Sequence, residues 1–304
     1  MKGKSYRNYK KYFLFLFLLS TIIAITVFTS KPRNFTEEKQ VLRIALPYDI
    51  RSLDVSSAYD NNSSHVMNMV YEGLLRRDVN DMPQLAVAES YDVSRDKKHY
   101  VFHLRDCKWS DGTDVTAYDF EFSWKRSLDP SSKAMTQTPY YFYPIKNAKL
   151  CLTGKVPVED VPIRAIDKHT LSVELEYPAS YFLDILTLPY FFPLPKDILM
   201  NDPNWGIREN VVCNGAFKVH KWKRGNRIAV VRNPTYWDQE NVVLDEIDIS
   251  IVENSQTALT MYEKGELDWI GSPIVRMSYD VSSDVLAEKE EDVLAYWLFV
   301  NTEK

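Results

Sequence analysis

Histidines are the side chains of this sequence best suited to catalysis or metal binding, but their spacing supports neither role. His99 and His103 lie four residues apart, and no cysteine or carboxylate is spaced to complete a metal shell around them. The remaining three, His65, His169 and His220, are scattered along the chain. We therefore interpret the five histidines as surface or edge-strand residues and predict no metal site.

Motifs for nucleotide binding and for hydrolysis are missing from the sequence. Its nine glycines form neither G-x-G-x-x-G nor the phosphate-binding pattern G-x-x-x-x-G-K-[ST]. A nucleophile elbow, G-x-S-x-G, and a zinc-protease motif, H-E-x-x-H, do not occur either. We therefore predict a protein that uses no cofactor and is not an enzyme, and we give a secreted hydrolase little weight.

Composition and charge indicate a folded protein that does not bind nucleic acid. The 304 residues are 45% hydrophobic and 26% charged, and the formal net charge is -5. An anionic chain has no basic field to attract phosphate backbones, so nucleic acid is not expected as a partner. Cys107, Cys151 and Cys213 are too few for a disulfide framework or a structural zinc site, and we expect no disulfide essential to folding.

The first 30 residues have the pattern of an export signal. Five basic residues precede an apolar tract over 12–28, the order of charge and hydropathy typical of secretion. Because this tract approaches the length that spans a bilayer, residues 1–30 are either a cleaved signal peptide or an uncleaved anchor in the inner membrane. No cysteine lies in this segment, so we do not expect a lipid-modified N-terminal cysteine. The predicted location is periplasmic.

Residues after 40 alternate between strand and helix patterns. We predict strands over 41–46, 100–104, 171–175, 247–251 and 267–270, and a hairpin joining 217–222 to 227–232. Helices are expected to begin at a cap on Ser63 or Ser64, at Thr116, and at Asn254 or Ser255. Gly73 and Gly265 are placed to end the first and third of these helices. This mixture predicts an α/β fold with mixed sheets.

The segment from Phe102 to Trp124 is more specific than a fold class. It closely resembles the signature of family 5 solute-binding proteins, of the oligopeptide-binding type. The matching residues are Phe102-His103-Leu104-Arg105, Lys108 to Thr113, Val115 to Phe120 and Ser123-Trp124. Further matches follow in the same order, among them Ser52-Leu53-Asp54, Glu72-Gly73-Leu74-Leu75, Asn214-Gly215-Ala216-Phe217, Arg232-Asn233-Pro234-Thr235-Tyr236-Trp237 and Gly265-Glu266-Leu267-Asp268. Most of these residues are interpreted as structural, with Trp109 and Trp124 in a core and Thr116 as a helix cap.

The resemblance implies a periplasmic-binding-protein-like fold of class II, with mixed sheets and flanking helices. Lobe I would comprise residues 31–71 and 196–296, and lobe II would comprise 72–195. Residues 297–304 would begin a third lobe that this sequence lacks, so only the first two lobes are expected. A possible source of the third lobe is a separate polypeptide acting in trans.

The function implied is the capture of oligopeptides for an ABC importer, with permease subunits in the inner membrane as partners. An alternative is a membrane-anchored interaction protein or vestigial paralogue that keeps the scaffold without binding peptide tightly. Because a ligand in this family lies between lobes, the 304 residues alone are expected to bind peptides weakly.

The resemblance also implies where the peptide would bind. By position, the loop after the first strand supplies Tyr59, Asp60 and Asn61, and the loop at the lobe boundary supplies Glu253, Asn254 and Ser255. Tyr140 and Tyr141, in an aromatic run that continues through Phe142 and Tyr143, are further candidates, with core packing as the alternative. An extended peptide presents the same backbone groups whatever its sequence, so such a site needs no catalytic motif.

Overall fold

A computed structural model describes residues 39–57, 60–132, 139–202 and 204–270. Its strands are β1 Val41–Leu46, β2 Leu75–Arg77, β3 Pro83–Leu85, β4 Ala88–Val93, β5 His99–Leu104, β6 Ile163–Asp167, β7 Thr170–Glu174, β8 Phe217–Lys223, β9 Arg227–Arg232 and β10 Glu246–Ile251. Its α-helices are α1 Asn61–Val70, α2 Ala117–Leu128, α3 Ala148–Leu152, α4 Phe182–Ile185, α5 Lys196–Asn201 and α6 Ser255–Glu263. Short 3-10 turns, including Pro139–Phe142, Val158–Asp160 and Pro189–Phe191, connect them.

The first four-stranded sheet combines the two ends of the described chain. Its order is β1-β10-β9-β8, with β1 parallel to β10 and the other neighbours antiparallel. Ile44 pairs with Ile249, which pairs in turn with Ile228, and all three are buried. The predicted hairpin is confirmed, with Gly225 at φ +66° in its turn, a backbone conformation that glycine adopts without strain.

The second four-stranded sheet is antiparallel throughout, in the order β4-β5-β7-β6. Tyr100, Phe102 and Leu104 alternate along β5 on the buried face, as the sequence predicts. Helix α2 packs against β6 and β7, and its Trp124 donates a hydrogen bond from Nε1 to the Phe191 carbonyl at 2.8 Å. These aromatic side chains give the second sheet its core.

The described residues between Gln40 and Ile270 form one compact unit whose two large sheets share a continuous core. An ion pair also joins the two regions: Arg126 on α2 forms a bidentate pair with Asp54 in the loop after β1, at 2.8 and 2.9 Å. The mixed α/β fold predicted from the sequence is therefore confirmed. The residue boundaries of the lobes stay a prediction.

Three details differ from the sequence predictions. Helix α1 is capped by Asp60 rather than by Ser63 or Ser64, because the Asp60 carboxylate reaches both the amide and the hydroxyl of Ser63. The same helix ends at Val70, and Gly73 serves instead as a close approach, where an added Cβ would meet the Phe192 ring at 2.8 Å. Residues 267–270 form no strand.

Two cap predictions are confirmed. Thr116 donates to Asp119 Oδ2 from its backbone amide at 2.8 Å and from its hydroxyl at 2.9 Å, which fixes the start of α2. Asn254 caps α6, and Gly265, at φ +71°, follows its end.

Residues 1–30, assigned to export and including the apolar tract 12–28, lie outside the described residues. Residues 297–304, assigned to the third lobe, lie outside them as well. Within the described ranges, no helix is long and apolar enough to cross a membrane.

Candidate functional site

Strands β1 and β10 direct two loops to the same edge of the first sheet. Because these strands are parallel, Leu46 and Ile251 end side by side, and Val252 N donates to the Leu46 carbonyl at 2.8 Å. The loop after β1 leads into α1, and the loop after β10 leads into α6. The carboxyl ends of parallel strands are where open α/β sheets commonly bind ligands. We name this region, formed by Asp60, Asn61, Glu253, Asn254 and Ser255, the strand-edge site.

The α1 side of the strand-edge site is built on Asp60 and Asn61. Asp60 Oδ1 accepts from Ser63 N at 2.8 Å and Oδ2 accepts from the Ser63 hydroxyl at 2.7 Å, so the carboxylate has a capping role. Asn61 is the first helical residue and is exposed. The third candidate on this side, Tyr59, lies outside the described residues.

The α6 side of the strand-edge site has the same construction. Asn254 Oδ1 accepts from Thr257 N at 2.9 Å, and Ser255 is the first residue of the helix. Glu253 and Asn254 are exposed, while Ser255 is partly buried. Helix α6 has an uncharged cap and no acidic residue in its first turn, whereas the Asp60 carboxylate offsets the partial positive charge at the start of α1. Two helix starts thus offer amide donors beside carboxylate acceptors.

Tyr48 belongs to this edge, although sequence reasoning did not select it. Asn62 Nδ2 donates to the Tyr48 carbonyl at 2.7 Å, which holds the start of α1 against the residues that follow β1. The Tyr48 side chain is 65% exposed. An aromatic residue placed two positions after a buried strand was the signal available in the sequence.

The aromatic run after residue 139 divides between surface and core. Tyr140 is 54% exposed, whereas Phe142 is fully buried and lies 4.5 Å from the Phe191 ring. Tyr141 stacks on Tyr190 at 5.2 Å, and burial raises the pKa of its hydroxyl to about 12. The core alternative thus holds for Phe142, while Tyr140 presents an open ring.

One connection between the tyrosines and α1 runs through the 3-10 turn Pro189–Phe191, which contacts α1 and carries the Tyr190 ring that stacks on Tyr141. This connection does not place Tyr140 or Tyr141 at the strand-edge site. Whether Tyr140 and Tyr141 face a common ligand with Asn61 therefore stays a prediction.

Histidines and cysteines occupy other positions. His103 Nε2 lies 2.9 Å from Asp92 Oδ2 on the sheet surface, and no group of three metal-ligating side chains occurs within the described part of the chain. Cys107, Cys151 and Cys213 are free and buried. Burial raises the pKa of Cys107 to about 12 and that of Cys213 to about 11, which keeps both as thiols.

Several residues of the motifs that carry the family resemblance form buried hydrogen bonds with one another. Glu72 accepts hydrogen bonds from the Tyr236 hydroxyl at 2.6 Å, from Arg76 at 3.1 Å and from the Trp237 indole. Asn214 exchanges two hydrogen bonds with the backbone of Glu72. Burial raises the pKa of Glu72, and the hydrogen bonds and the Arg76 charge oppose that shift. These signature residues stabilise the scaffold, as the sequence interpretation proposed for most of the motif.

Comparison with known proteins gives a consistent result. Residues 82–304 match the family described as "Bacterial extracellular solute-binding proteins, family 5 Middle". The chain is 34% identical to the oligopeptide-binding protein OppA of Bacillus subtilis over 272 residues, which is 87% of this chain and 50% of that protein. It is also 34% identical to the periplasmic oligopeptide-binding protein OppA of Escherichia coli over 276 residues, 88% of this chain and 50% of the relative.

Solved structures agree with the sequence comparisons. The substrate-binding domain of an oligopeptide ABC transporter from Bacillus anthracis superposes with a TM-score of 0.73 and 36% identity, covering 76% of this chain and 45% of that one. Listeria monocytogenes OppA bound to peptide gives 0.73 and 33% identity, covering 76% and 46%. The class II periplasmic-binding-protein-like fold is confirmed, and the chain spans about half the length of the curated relatives it matches. The chain belongs to family 5 of the bacterial extracellular solute-binding proteins.

Proposed function

We propose that this chain supplies one wall of an oligopeptide site in the binding component of an ABC importer, and that its role is non-catalytic. The observation that carries the proposal is that β1 and β10 end side by side and that the loop after each strand leads to a helix start, that of α1 held to Tyr48 by Asn62. The relatives in B. subtilis and E. coli are oligopeptide-binding proteins, and the similar Listeria OppA structure contains a bound peptide, which supports the same ligand class.

An extended peptide suits the strand-edge site because both partners present alternating donors and acceptors. First-turn amides that Asp60 and Asn254 do not cap would donate to peptide carbonyl oxygens. The start of α6, whose cap is uncharged, favours the negative end of a carbonyl dipole or a terminal carboxylate. The Glu253 carboxylate is an exposed acceptor for peptide amides. Tyr48 and Tyr140, both more than half exposed, would form side-chain walls that tolerate different residues.

The organisation proposed around this wall follows the sequence analysis. Residues 31–71 and 196–296 form lobe I, residues 72–195 form lobe II, and the opposite wall belongs to a third lobe from residue 297 onward or from another polypeptide. Residues 1–30 direct export to the periplasm, with 12–28 as the anchoring tract if the segment is retained. Closure of the lobes over a peptide would present the loaded form to the permease subunits.

Calorimetric titration with tri- to pentapeptides tests the proposal. The 304-residue chain is titrated alone and after mixing with the C-terminal half of B. subtilis OppA, which supplies an opposite wall. We expect weak heats from the chain alone and measurable binding in the mixture. If the mixture binds no peptide while intact B. subtilis OppA does, the result favours the alternative function, a paralogue that keeps the scaffold without binding peptide tightly.

Two exposed substitutions locate the binding surface in the mixture. Asn61→Trp places a bulky ring at the start of α1, which would exclude the peptide from that side of the site, and should lower peptide affinity about ten-fold, or about 1.4 kcal/mol. Glu240→Trp, at an exposed position in a 3-10 turn away from both helix starts, is the matched control and should leave affinity within about two-fold. Equal effects of both substitutions would place the peptide elsewhere.

A further inference from the structure

The outward face of α2 borders a cavity of about 490 Å³ that takes no part in the strand-edge site. Its lining comes from α2, from the residues that follow α2, from α5 and from the 3-10 turn at Val158, and it includes Tyr118, Phe122, Asp129, Val158, Lys196 and Leu199. The opposite face of α2, with Phe120 and Trp124, is packed into the core. The cavity therefore lies between two helices on the outside of the second sheet.

Apolar groups line much of this cavity, although it opens to solvent. Phe122 and Val158 are partly buried, and Leu199 is 7% exposed. Tyr118 and Met200 at the rim are 46% and 68% exposed. Concave sites of roughly 300–1,000 Å³ with apolar walls and a few polar groups are typical of small-molecule binding.

Most charged groups around the cavity are already engaged. Lys125 forms an ion pair with Glu121 at 2.6 Å, and Glu121 also accepts from Ala165 N at 2.8 Å. Arg126 is held by Asp54. The Asp129 carboxylate accepts from the amide and the hydroxyl of Ser131, each at 2.8 Å.

Lys196 is the exception among these lining charges. Its ammonium takes part in no ion pair recorded between described residues, and the residue is exposed at the start of α5. Two pairs, Lys125 with Glu121 and Arg126 with Asp54, neutralise their own charges, and Ser131 hydrogen-bonds the Asp129 carboxylate. The Lys196 ammonium is therefore the cation available to an anionic group on a ligand. The Lys196 ammonium repels the head group of a cationic ligand that has an identical apolar body.

We propose that this cavity is a second ligand site, distinct from the strand-edge site, for a free amphipathic carboxylate. The apolar body lies against Phe122 and Leu199, and the carboxylate accepts hydrogen bonds from the Lys196 ammonium. The site lies within residues 118–200, so it does not depend on the proposed third lobe or on peptide binding. Arg126 in its wall is bound to Asp54 in the loop after β1, which gives the cavity a physical connection to that loop.

Decanoate, decanol and decyltrimethylammonium test the proposal, because they share one apolar chain and differ in head charge. Binding to the purified 304-residue chain is followed by calorimetry below the micellar concentration of each probe. We expect decanoate to bind at least about ten times more tightly than the cationic probe, with decanol between them. Equal affinity for all three probes would show nonspecific apolar binding and overturn the proposal.

Substitutions assign the site within the protein. Lys196→Gln should lower decanoate affinity about ten-fold and leave decanol unchanged, whereas Lys221→Gln, at an exposed position on β8, should change neither. Val158→Trp fills one wall and should weaken both decanoate and decanol. Circular dichroism and thermal melting identify any variant that fails to fold, and Lys196→Gln, a surface change, then decides the result. If decanoate affinity is the same in Lys196→Gln and Lys221→Gln, the assignment is wrong.

Discussion

The ion pair between Asp54 and Arg126 is the buried contact whose removal we expect to destabilise this fold most clearly. Asp54 lies in the loop after β1, and Arg126 projects from α2 beside the second sheet. Their side chains are only 9% and 16% exposed, and the two hydrogen bonds between them measure 2.8 and 2.9 Å. The substitution Arg126→Met keeps an unbranched apolar side chain and removes the charge.

The expected loss of folding free energy depends on the buried charge that the substitution leaves without a partner. Asp54 would keep its hydrogen bond from Ser56 N at 3.0 Å, but its negative charge would remain largely buried without a cation. Breaking a buried pair in this way costs about 3–5 kcal/mol, and the partial exposure of Arg126 favours the lower end, about 3 kcal/mol. For a folded unit of this size, that corresponds to a fall in Tm of about 6–12 °C.

A double-mutant cycle separates the ion pair from other effects of substitution. Asp54→Asn retains an acceptor for Ser56 and removes the charge, so the double variant Asp54→Asn, Arg126→Met should cost about 2 kcal/mol less than the sum of the single variants. Arg227→Met is the control, because it removes the pair with Asp248, whose partners are 47% and 18% exposed. This surface pair should contribute less than about 1 kcal/mol.

Urea unfolding followed by tryptophan fluorescence gives the free energy of unfolding for each variant. The reasoning is refuted if Arg126→Met and Arg227→Met destabilise the protein equally, or if the cycle shows no coupling between Asp54 and Arg126.

Two further predictions concern Glu72 and Gly215. Burial raises the pKa of Glu72 above its ordinary value of 4.5. Above pH 4.5 the native carboxyl therefore keeps its proton where the unfolded chain has released it. The free energy of unfolding of the wild-type protein should fall as the pH rises from 4.5 through the native pKa. Glu72→Gln removes this dependence, and urea unfolding of both proteins between pH 4.5 and 8 should give curves that are not parallel; parallel curves contradict the prediction. Gly215→Ala should cost more than about 2 kcal/mol, because its Cβ would lie 2.6 Å from backbone atoms at the end of α1. Gly225→Ala, at φ +66° with open space around it, should cost only about 1–2 kcal/mol, and equal melting temperatures of the two variants would refute the steric argument.

Local elements could be predicted from the sequence because neighbouring residues determine them. The capping pair Thr116 and Asp119, the alternation of Tyr100, Phe102 and Leu104, and the hairpin turn at Gly225 each depend on interactions within a few residues. Local patterns are ambiguous where several residues able to cap lie close together: Asp60, Ser63 and Ser64 all suit the start of α1, and the structure uses Asp60.

The sequence alone thus determined the family, the α/β class and most helix and strand positions, since short motifs and hydrophobic periodicity encode them. The tertiary structure decided which loops meet. Val41 pairs with Glu246, and Arg126 binds Asp54, 72 residues away in the sequence. A local sequence pattern cannot predict which distant residue is the partner in such a contact. The same holds for the cavity beside Lys196 and for the exposure of Tyr140 against the burial of Phe142, because packing between distant segments decides which side of a short turn reaches solvent.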